Sequence, residues 1–258
     1  MIAAICIGRK GSVGFPGKNV HPVLGRPLAA YPLLAARRAP SVEIVYLSTD
    51  DAELMAIGRE HGASIIVRPP ELATRQALGE DAYLHAYEAV KNDCQNSGRE
   101  LELLVLLMAN AATITAPVIE AGVAALRGDP SLDSAVSVSC YNMWSPLRAR
   151  KVGPDELLHP FAPLEAFCDP AAVSCDRDSQ GDVWFADMGV SVVRPRCLED
   201  LHDGLLPQKW MGRRIHPLKQ WGGLDVDYPW QLPGVEFWLR ANGFSETATP
   251  YDSPADRA

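Results

Sequence analysis

Short unbroken apolar runs alternate along this chain with longer stretches of helical periodicity. Ile2 to Ile7 is an apolar run of strand length, and Glu43 to Ser48, Ser64 to Val67 and Leu103 to Met108 repeat the pattern. Between them the spacing predicts helices over Pro27 to Ala39, with Pro27 in the first turn, and over Asp50 to His61, with acids at its start and Gly62 past its end. A third helix is expected from Glu80 to Lys91, followed by a polar turn from Asn92 to Arg99. Thr115 is placed to cap a fourth, with Pro117 in its first turn. Strands apolar on both faces and separated by helices predict an α/β chain with a doubly wound, mostly parallel sheet. The ligand of such a sheet lies beyond the carboxyl ends of its strands.

The second half changes character. Ala135 to Cys140 reads as a strand, but residues 141–183 are rich in proline, charge and short apolar pieces. A structureless loop of that length is unusual inside a compact domain, so the stretch is expected to be an inserted arm that reaches across a dimer interface. The strand pattern resumes at Gly189 to Val193, with shorter strands expected at Arg213 to Pro217 and Gly223 to Val226. A last helix covers Tyr228 to Ala241, with Pro233 expected to kink or restart it. Without an internal repeat or interdomain linker, residues 1–258 read as a single domain carrying that arm.

With 47% hydrophobic and 22% charged residues, the 258-residue chain has material for a substantial core. A net charge of −8 argues against a nucleic-acid partner. The first apolar run is too short for a signal peptide and lacks a basic start, and no segment is long enough to span a bilayer, so no membrane association is expected. Six cysteines without a C-x-x-C pair suit the reduced thiols of a cytoplasmic protein. The six histidines show no zinc-protease spacing, and no G-x-S-x-G elbow is present.

The candidate chemistry begins where the first strand ends. Gly8-Arg9-Lys10-Gly11-Ser12-Val13-Gly14-Phe15-Pro16-Gly17-Lys18-Asn19 holds four glycines and three cations. Glycines let backbone N–H groups close around phosphates, and the cations neutralise them. The spacing matches neither a P-loop nor a dinucleotide fingerprint, and an ordinary mobile connection stays open as the plainer reading. Late in the chain, Asp225-Val226-Asp227 sets two carboxylates on one face of an extended segment, which suits Mg²⁺. The structural alternative makes Asp227 a helix cap and Asp225 an exposed strand end. Arg68, followed by Pro69 and Pro70, is either a fixed fork for a base carbonyl and ring nitrogen or a surface arginine beside a rigid turn. Asp50 and Asp51 read as acids of a helix first turn. Arg148, Arg150, Lys151 and Arg177 could hold a carboxylate ligand or simply form a solvated face.

Taken in order, these segments resemble the cytidylyltransferases that make CMP-activated acidic sugars, chiefly the CMP-N-acetylneuraminate synthetases. The opening loop corresponds to that family's A-R-x-G-S-K-G-x-P-x-K-N, Ser48 to Asp51 to its S-T-D-D, and Arg68 to Ala73 to its R-P-x-E-L-A. Asp133 to Val138 is similar to D-S-x-V-S-V, Pro146-Leu147-Arg148 to its P-L-basic step, and Asp225-Val226-Asp227 to the closing D-I-D. The resemblance implies a Rossmann-like nucleotidyltransferase fold and a homodimer. It also implies attack by an acidic sugar's anomeric hydroxyl on the α-phosphorus of CTP, releasing pyrophosphate. On that basis Arg9 and Lys18 hold the triphosphate, Gly8, Gly11, Ser12 and Asn19 complete the nucleotide loop, and Arg68 reads the cytosine. Asp225 and Asp227 bind Mg²⁺, with Asp227 grouped with Arg9 and Lys18 as catalytic, while Asn110, Arg148 and Arg177 face the sugar.

The departures cluster away from the nucleotide. The exception is in the nucleotide loop, where Val13 stands in place of the family's lysine and one phosphate cation is missing, with Lys10 a candidate substitute. The family's L-L-Q-P-T-S-P-L-R reads Leu106 to Ile114 here, and its R-P-N-G reads Ala186-Asp187-Met188-Gly189. These changes imply an altered acceptor of the 2-keto-3-deoxy acid class. Two alternatives remain at this level. One is a glycosyltransferase using Asp225-Val226-Asp227 as its D-x-D; the other is a family member that binds nucleotide without turnover.

Overall fold

The computed structural model describes residues 1–252, the side chains of Arg177 and Asp178 excepted. Strand β1 (Ile2–Ile7) is followed by a two-stranded turn, β2 (Pro22–Val23) and β3 (Arg26–Pro27), before helix α1 (Ala30–Arg38). Pro27 therefore lies in β3 rather than in the first turn of α1; the helix begins three residues later and carries Pro32 near its start, where no intrahelical N–H is owed. Next come β4 (Ile44–Thr49), α2 (Ala52–Glu60), β5 (Ser64–Val67), α3 (Gly79–Asn96), β6 (Leu103–Met108), α4 (Ala116–Gly128) and β7 (Ser134–Cys140). Helix α3 runs on through the expected polar turn, because its buried stripe of Ala82, Ala86, Val90 and Cys94 keeps helical spacing across Asn92. Residues 141–183 hold three short 3-10 turns and a small hairpin, β8 (Arg150–Val152) and β9 (Leu158–Pro160). Strand β10 (Trp184–Val193), the short helix α5 (Arg196–Glu199), β11 (Ile215–Gln220) and α6 (Leu232–Ala241) complete the chain. Pro233 sits in the first turn of α6 after a separate 3-10 turn at Pro229–Gln231, so the last helix is indeed restarted.

Seven strands form one sheet in the order β11-β7-β10-β6-β1-β4-β5. Every pairing is parallel except those of β10, which runs antiparallel between β6 and β7. The alternation of side chains along β1 divides the core. Ile2, Ala4 and Cys6 face α1, α2 and α4 with Leu33, Leu54, Ile119 and Val123, while Ala3, Ile5 and Ile7 face α3 with Tyr83, Tyr87 and Val90. Both faces being covered explains the unbroken apolar runs. Gly223 to Val226, expected as a strand, is extended chain without ladder partners. Among the described residues no helix is long and apolar enough to cross a membrane.

Candidate active site

The carboxyl ends of β1, β5 and β6 open onto one cleft, lined by Gly8, Arg9, Ser12, Lys18 and Asn19 from the loop, by Arg68 after β5, by Met108 at the end of β6 and by Asn110 beyond it. The fold assembles it through a few backbone nodes. The Ser48 carbonyl accepts both the Gly8 N–H (3.1 Å) and Arg68 Nη2 (2.9 Å), which ties the loop's start to the arginine. Asn19 is buried; its side-chain amide donates to the Arg9 carbonyl at 3.3 Å and its own carbonyl accepts the Ala29 N–H at 2.9 Å, so it closes the loop's two ends together. Gly17, at φ 74°, supplies the left-handed turn that launches the Lys18–Val20 3-10 turn.

Arg68 is 5% exposed, and its guanidinium is held by Ser48 through Nη2 and, at 3.4 Å, through Nε. That engagement leaves Nη1 for a ligand in the cleft. Burial lowers its pKa, with the Arg9 charge acting in the same direction and Asp50 against it. Two cations thus converge on a space that an anionic ligand would relieve. Asp50 itself accepts the Lys10 N–H at 2.9 Å and Asp51 caps α2 through the Glu53 N–H, so both acids serve structure.

The late carboxylates come to the same edge by a route that bypasses the sheet. Val226 N–H donates to the Asn110 carbonyl at 2.9 Å, and the Asn110 side-chain amide returns to the Val226 carbonyl (3.0 Å) and to Asp225 Oδ2 (3.3 Å). One step away, the Thr113 hydroxyl donates to the Leu224 carbonyl (3.1 Å) and accepts its N–H (2.9 Å). Side chains after β6 therefore do for residues 224–226 what a neighbouring strand's backbone would do. Gln231 fixes the following turn, accepting the N–H groups of Asp227 and Tyr228 at 2.7 Å each.

Lys18 Nζ then joins the two motifs, 2.6 Å from Asp227 Oδ1 and 2.6 Å from the Val226 carbonyl. Gly14 packs so closely on this segment that an added Cβ would lie 2.7 Å from the Asp227 carbonyl. Burial, then the charge of Asp227, raises the pKa of Asp225, and Lys18 opposes the rise. Two neighbouring carboxylates that already draw in one cation are a donor set fitting a hard dication such as Mg²⁺, which takes one or two carboxylates and completes its shell with water and phosphate. Among the described residues no group of three or more His, Cys, Asp or Glu could form a closed metal cage.

The residues expected at the sugar are placed differently from one another. Asn110 lines the cleft, but its amide is engaged by Asp225 and Val226. Arg148 donates through Nε to Gln180 at 2.9 Å within the 141–183 segment and is not among the residues that line this cleft. The side chain of Arg177 lies outside the described residues. Val13 is 59% exposed at the loop's tip. Thr113, which clamps the late motif, escapes a linear reading, and Asn110, expected to face the sugar, is found holding Asp225 and Val226; the one trace of this role is a pair of polar residues three apart in an otherwise apolar stretch from Leu103 to Ile114.

The fold is of the α/β class, and its glycine-rich loop, Arg68 and the Asp225–Asp227 pair come together at one edge of the sheet. Residues 3–130 match the cytidylyltransferase family model, and the chain belongs to that family. The match takes in the loop and Arg68 but ends before Asp225 and Asp227. The chain is 38% identical over 85 residues to an N-acylneuraminate cytidylyltransferase of Escherichia coli, covering 33% of this chain and 20% of that protein. It is 29% identical over 127 residues to a 3-deoxy-manno-octulosonate cytidylyltransferase of Anaeromyxobacter sp., covering 49% and 48%. The matched segments thus span from a fifth to about half of these relatives' lengths. Among solved structures, CMP:2-keto-3-deoxy-manno-octonic acid synthetase complexed with CTP shares the fold at a TM-score of 0.65, with 16% identity over 93% of this chain and 98% of that one.

Proposed function

We propose that this protein is a cytidylyltransferase that activates an acidic 2-keto-3-deoxy sugar with CTP, releasing pyrophosphate. The observation that carries the reading is the junction of the first and last motifs. Lys18 reaches Asp227 from a glycine-rich loop whose neighbour in the cleft is the buried Arg68. The family match and the relatives' names support the nucleotide and the class of acceptor.

The chemistry asked of such a site is positioning and charge neutralisation more than covalent catalysis. Arg9, Lys18 and the backbone N–H groups around Gly11 and Ser12 would hold the triphosphate, and the free Nη1 of Arg68 would meet the cytosine edge. The acceptor's anomeric oxygen forms a bond to the α-phosphorus as the bond to the pyrophosphate oxygen breaks. Asp225 and Asp227 would hold Mg²⁺, which when bound neutralises phosphate charge and favours ionisation of the attacking hydroxyl. The 141–183 segment would pack on a second copy of the chain. Val152 (70% exposed), Leu157 and Leu158 form an apolar tip on its hairpin that a monomer leaves in water.

The deciding experiment supplies CTP, or UTP as control, with a panel of acidic sugars and reads pyrophosphate release. Release with CTP and a 2-keto-3-deoxy acid is expected. CTP binding without release from any acid sugar would instead favour a nucleotide-binding protein without turnover. Transfer from a nucleotide sugar with no pyrophosphate would favour a glycosyltransferase.

A further inference from the structure

Asp187 is 4% exposed in β10, and among the described residues no lysine, arginine or histidine bonds it. Its surroundings are all donors. Oδ1 accepts from the Ser137 hydroxyl (2.5 Å) and the Gly189 N–H (3.2 Å), and Oδ2 accepts from the Ser139 hydroxyl (2.7 Å) and Gln220 Nε2 (2.8 Å). The polarity of the network is dictated by backbone. Ser139 Oγ accepts the Gly223 N–H at 3.0 Å, and Ser137 Oγ accepts the Val190 N–H at 2.9 Å. Each hydroxyl, fully buried and committed as an acceptor to a backbone donor, has its own proton to place: Ser139 donates to Asp187, and Ser137 donates to Asp187 with the Val190 carbonyl also within reach at 3.3 Å. A carboxylate is the side chain that can take both protons and two further donors at once.

The two hydroxyls lead to different places. Ser137 leads back into the sheet, at Val190 of β10. Ser139 leads to Gly223, two residues before Asp225, and the Tyr141 hydroxyl fixes the same residue by donating to the Gly223 carbonyl at 2.8 Å. Gln220 extends the network to the Thr113 carbonyl at 3.2 Å, and the Thr113 hydroxyl in turn clamps Leu224 on both its polar atoms. Gly223 admits nothing larger here, because a Cβ would collide with the Asp187 carboxylate.

We infer that Asp187 is a positioning residue for the Asp225 and Asp227 carboxylates, acting through Ser139 and Gly223 on one side and through Gln220 and Thr113 on the other. Because residues 223–227 have no ladder partners, this network sets the aim of the pair together with Asn110, Gln231 and Lys18. The inference rests on the proposed cation site at Asp225 and Asp227.

The test separates the two hydroxyls. Mn²⁺ affinity is measured on the full chain with bound CTP by electron paramagnetic resonance, alongside thermal unfolding, for Ser139→Ala, Ser137→Ala, Asp187→Asn and Asp227→Asn. Ser139→Ala is expected to weaken Mn²⁺ by about tenfold, the usual cost of losing a group that orients a ligand. Ser137→Ala is expected to lower the unfolding temperature and leave Mn²⁺ affinity at the wild-type value. Asp187→Asn should show both losses; if it fails to fold, the serine pair still decides. Wild-type Mn²⁺ affinity in Ser139→Ala, or equal losses in both serine variants, overturns the positioning role while Asp227→Asn still loses the ion. Unchanged affinity in Asp227→Asn overturns the cation site itself, and the inference with it.

Discussion

Lys18 Nζ lies 2.6 Å from Asp227 Oδ1, joining residues 209 positions apart in the chain. The lysine side chain is 11% exposed and the aspartate 58%, so the pair has one desolvated partner and one that water still reaches. The same ammonium donates a second hydrogen bond, to the Val226 carbonyl at 2.6 Å. It thereby neutralises Asp227 while standing beside the glycine loop. A triphosphate and a divalent ion arriving together would give each charge a better partner than it has now.

Replacing Lys18 with methionine keeps the length and packing of the side chain and removes its charge. CTP affinity should fall by tenfold or more, since a hydrogen bond to a charged group is worth about 1.5–3 kcal/mol. Calorimetric titration checks this, and an unchanged Kd would remove Lys18 from the triphosphate site.

Asp227→Ala should abolish turnover at ordinary Mg²⁺ while the far-ultraviolet dichroism stays native. The carboxylate is exposed and caps no helix of the core, so the fold does not depend on it. Wild-type rates from this variant would sink its assignment to the metal.

Arg68 serves both fold and ligand, and its substitution should show both. Arg68→Ala leaves the Ser48 carbonyl with the Gly8 N–H alone, so a loss of about 1–3 kcal/mol in stability is expected from the broken buried hydrogen bonds. Selectivity for CTP over UTP should narrow in the same variant. Selectivity that stays as in the wild type would argue against base reading.

Gly14→Ala forces a methyl group to within 2.7 Å of the Asp227 carbonyl and 3.1 Å of the Tyr228 ring. The loop, not the core, has to yield. KM for CTP is expected to rise severalfold with little change in unfolding temperature; a large fall in that temperature would show that the contact belongs to the core.

Cys6, in β1 behind the loop, gives a pH dependence with a definite sign. Burial pushes its thiol from 9.0 up to about 12, against the pull of the Arg68 charge. A group raised in the folded state contributes stability that is complete below the unfolded value and lost above it. Resistance to urea should therefore decline between pH 9 and 12, and the decline should be shallower in Cys6→Ala. Parallel wild-type and variant curves would rule out this thiol as a source.

Much of the fold was legible because it is written locally. β1, β5 and β6 are apolar runs of four to six residues bounded by polar chain, and their observed limits coincide with the expected ones. The glycine loop announced itself by composition. Pro27 misled because proline suits both a helix start and an edge strand, and the choice fell to a pairing with Pro22 that no local pattern encodes. Helix α3 outran its expected end because burial of Cys94 against the sheet, not propensity, holds its last turn.

What the sequence by itself determined is the kind of sheet and the residue types available at its edge: four glycines, Arg9, Lys18, Arg68 and the two aspartates. Only the tertiary structure decided how the late motif meets the early one. Residues 223–227 have the composition of a strand end, yet side chains of Asn110, Thr113, Ser139 and Lys18 carry them in place of a ladder. Asp187 is buried for the same reason. Hydrogen bonds between side chains and distant backbone leave no period in the sequence, so they become visible only once the chain has folded and brought their partners together.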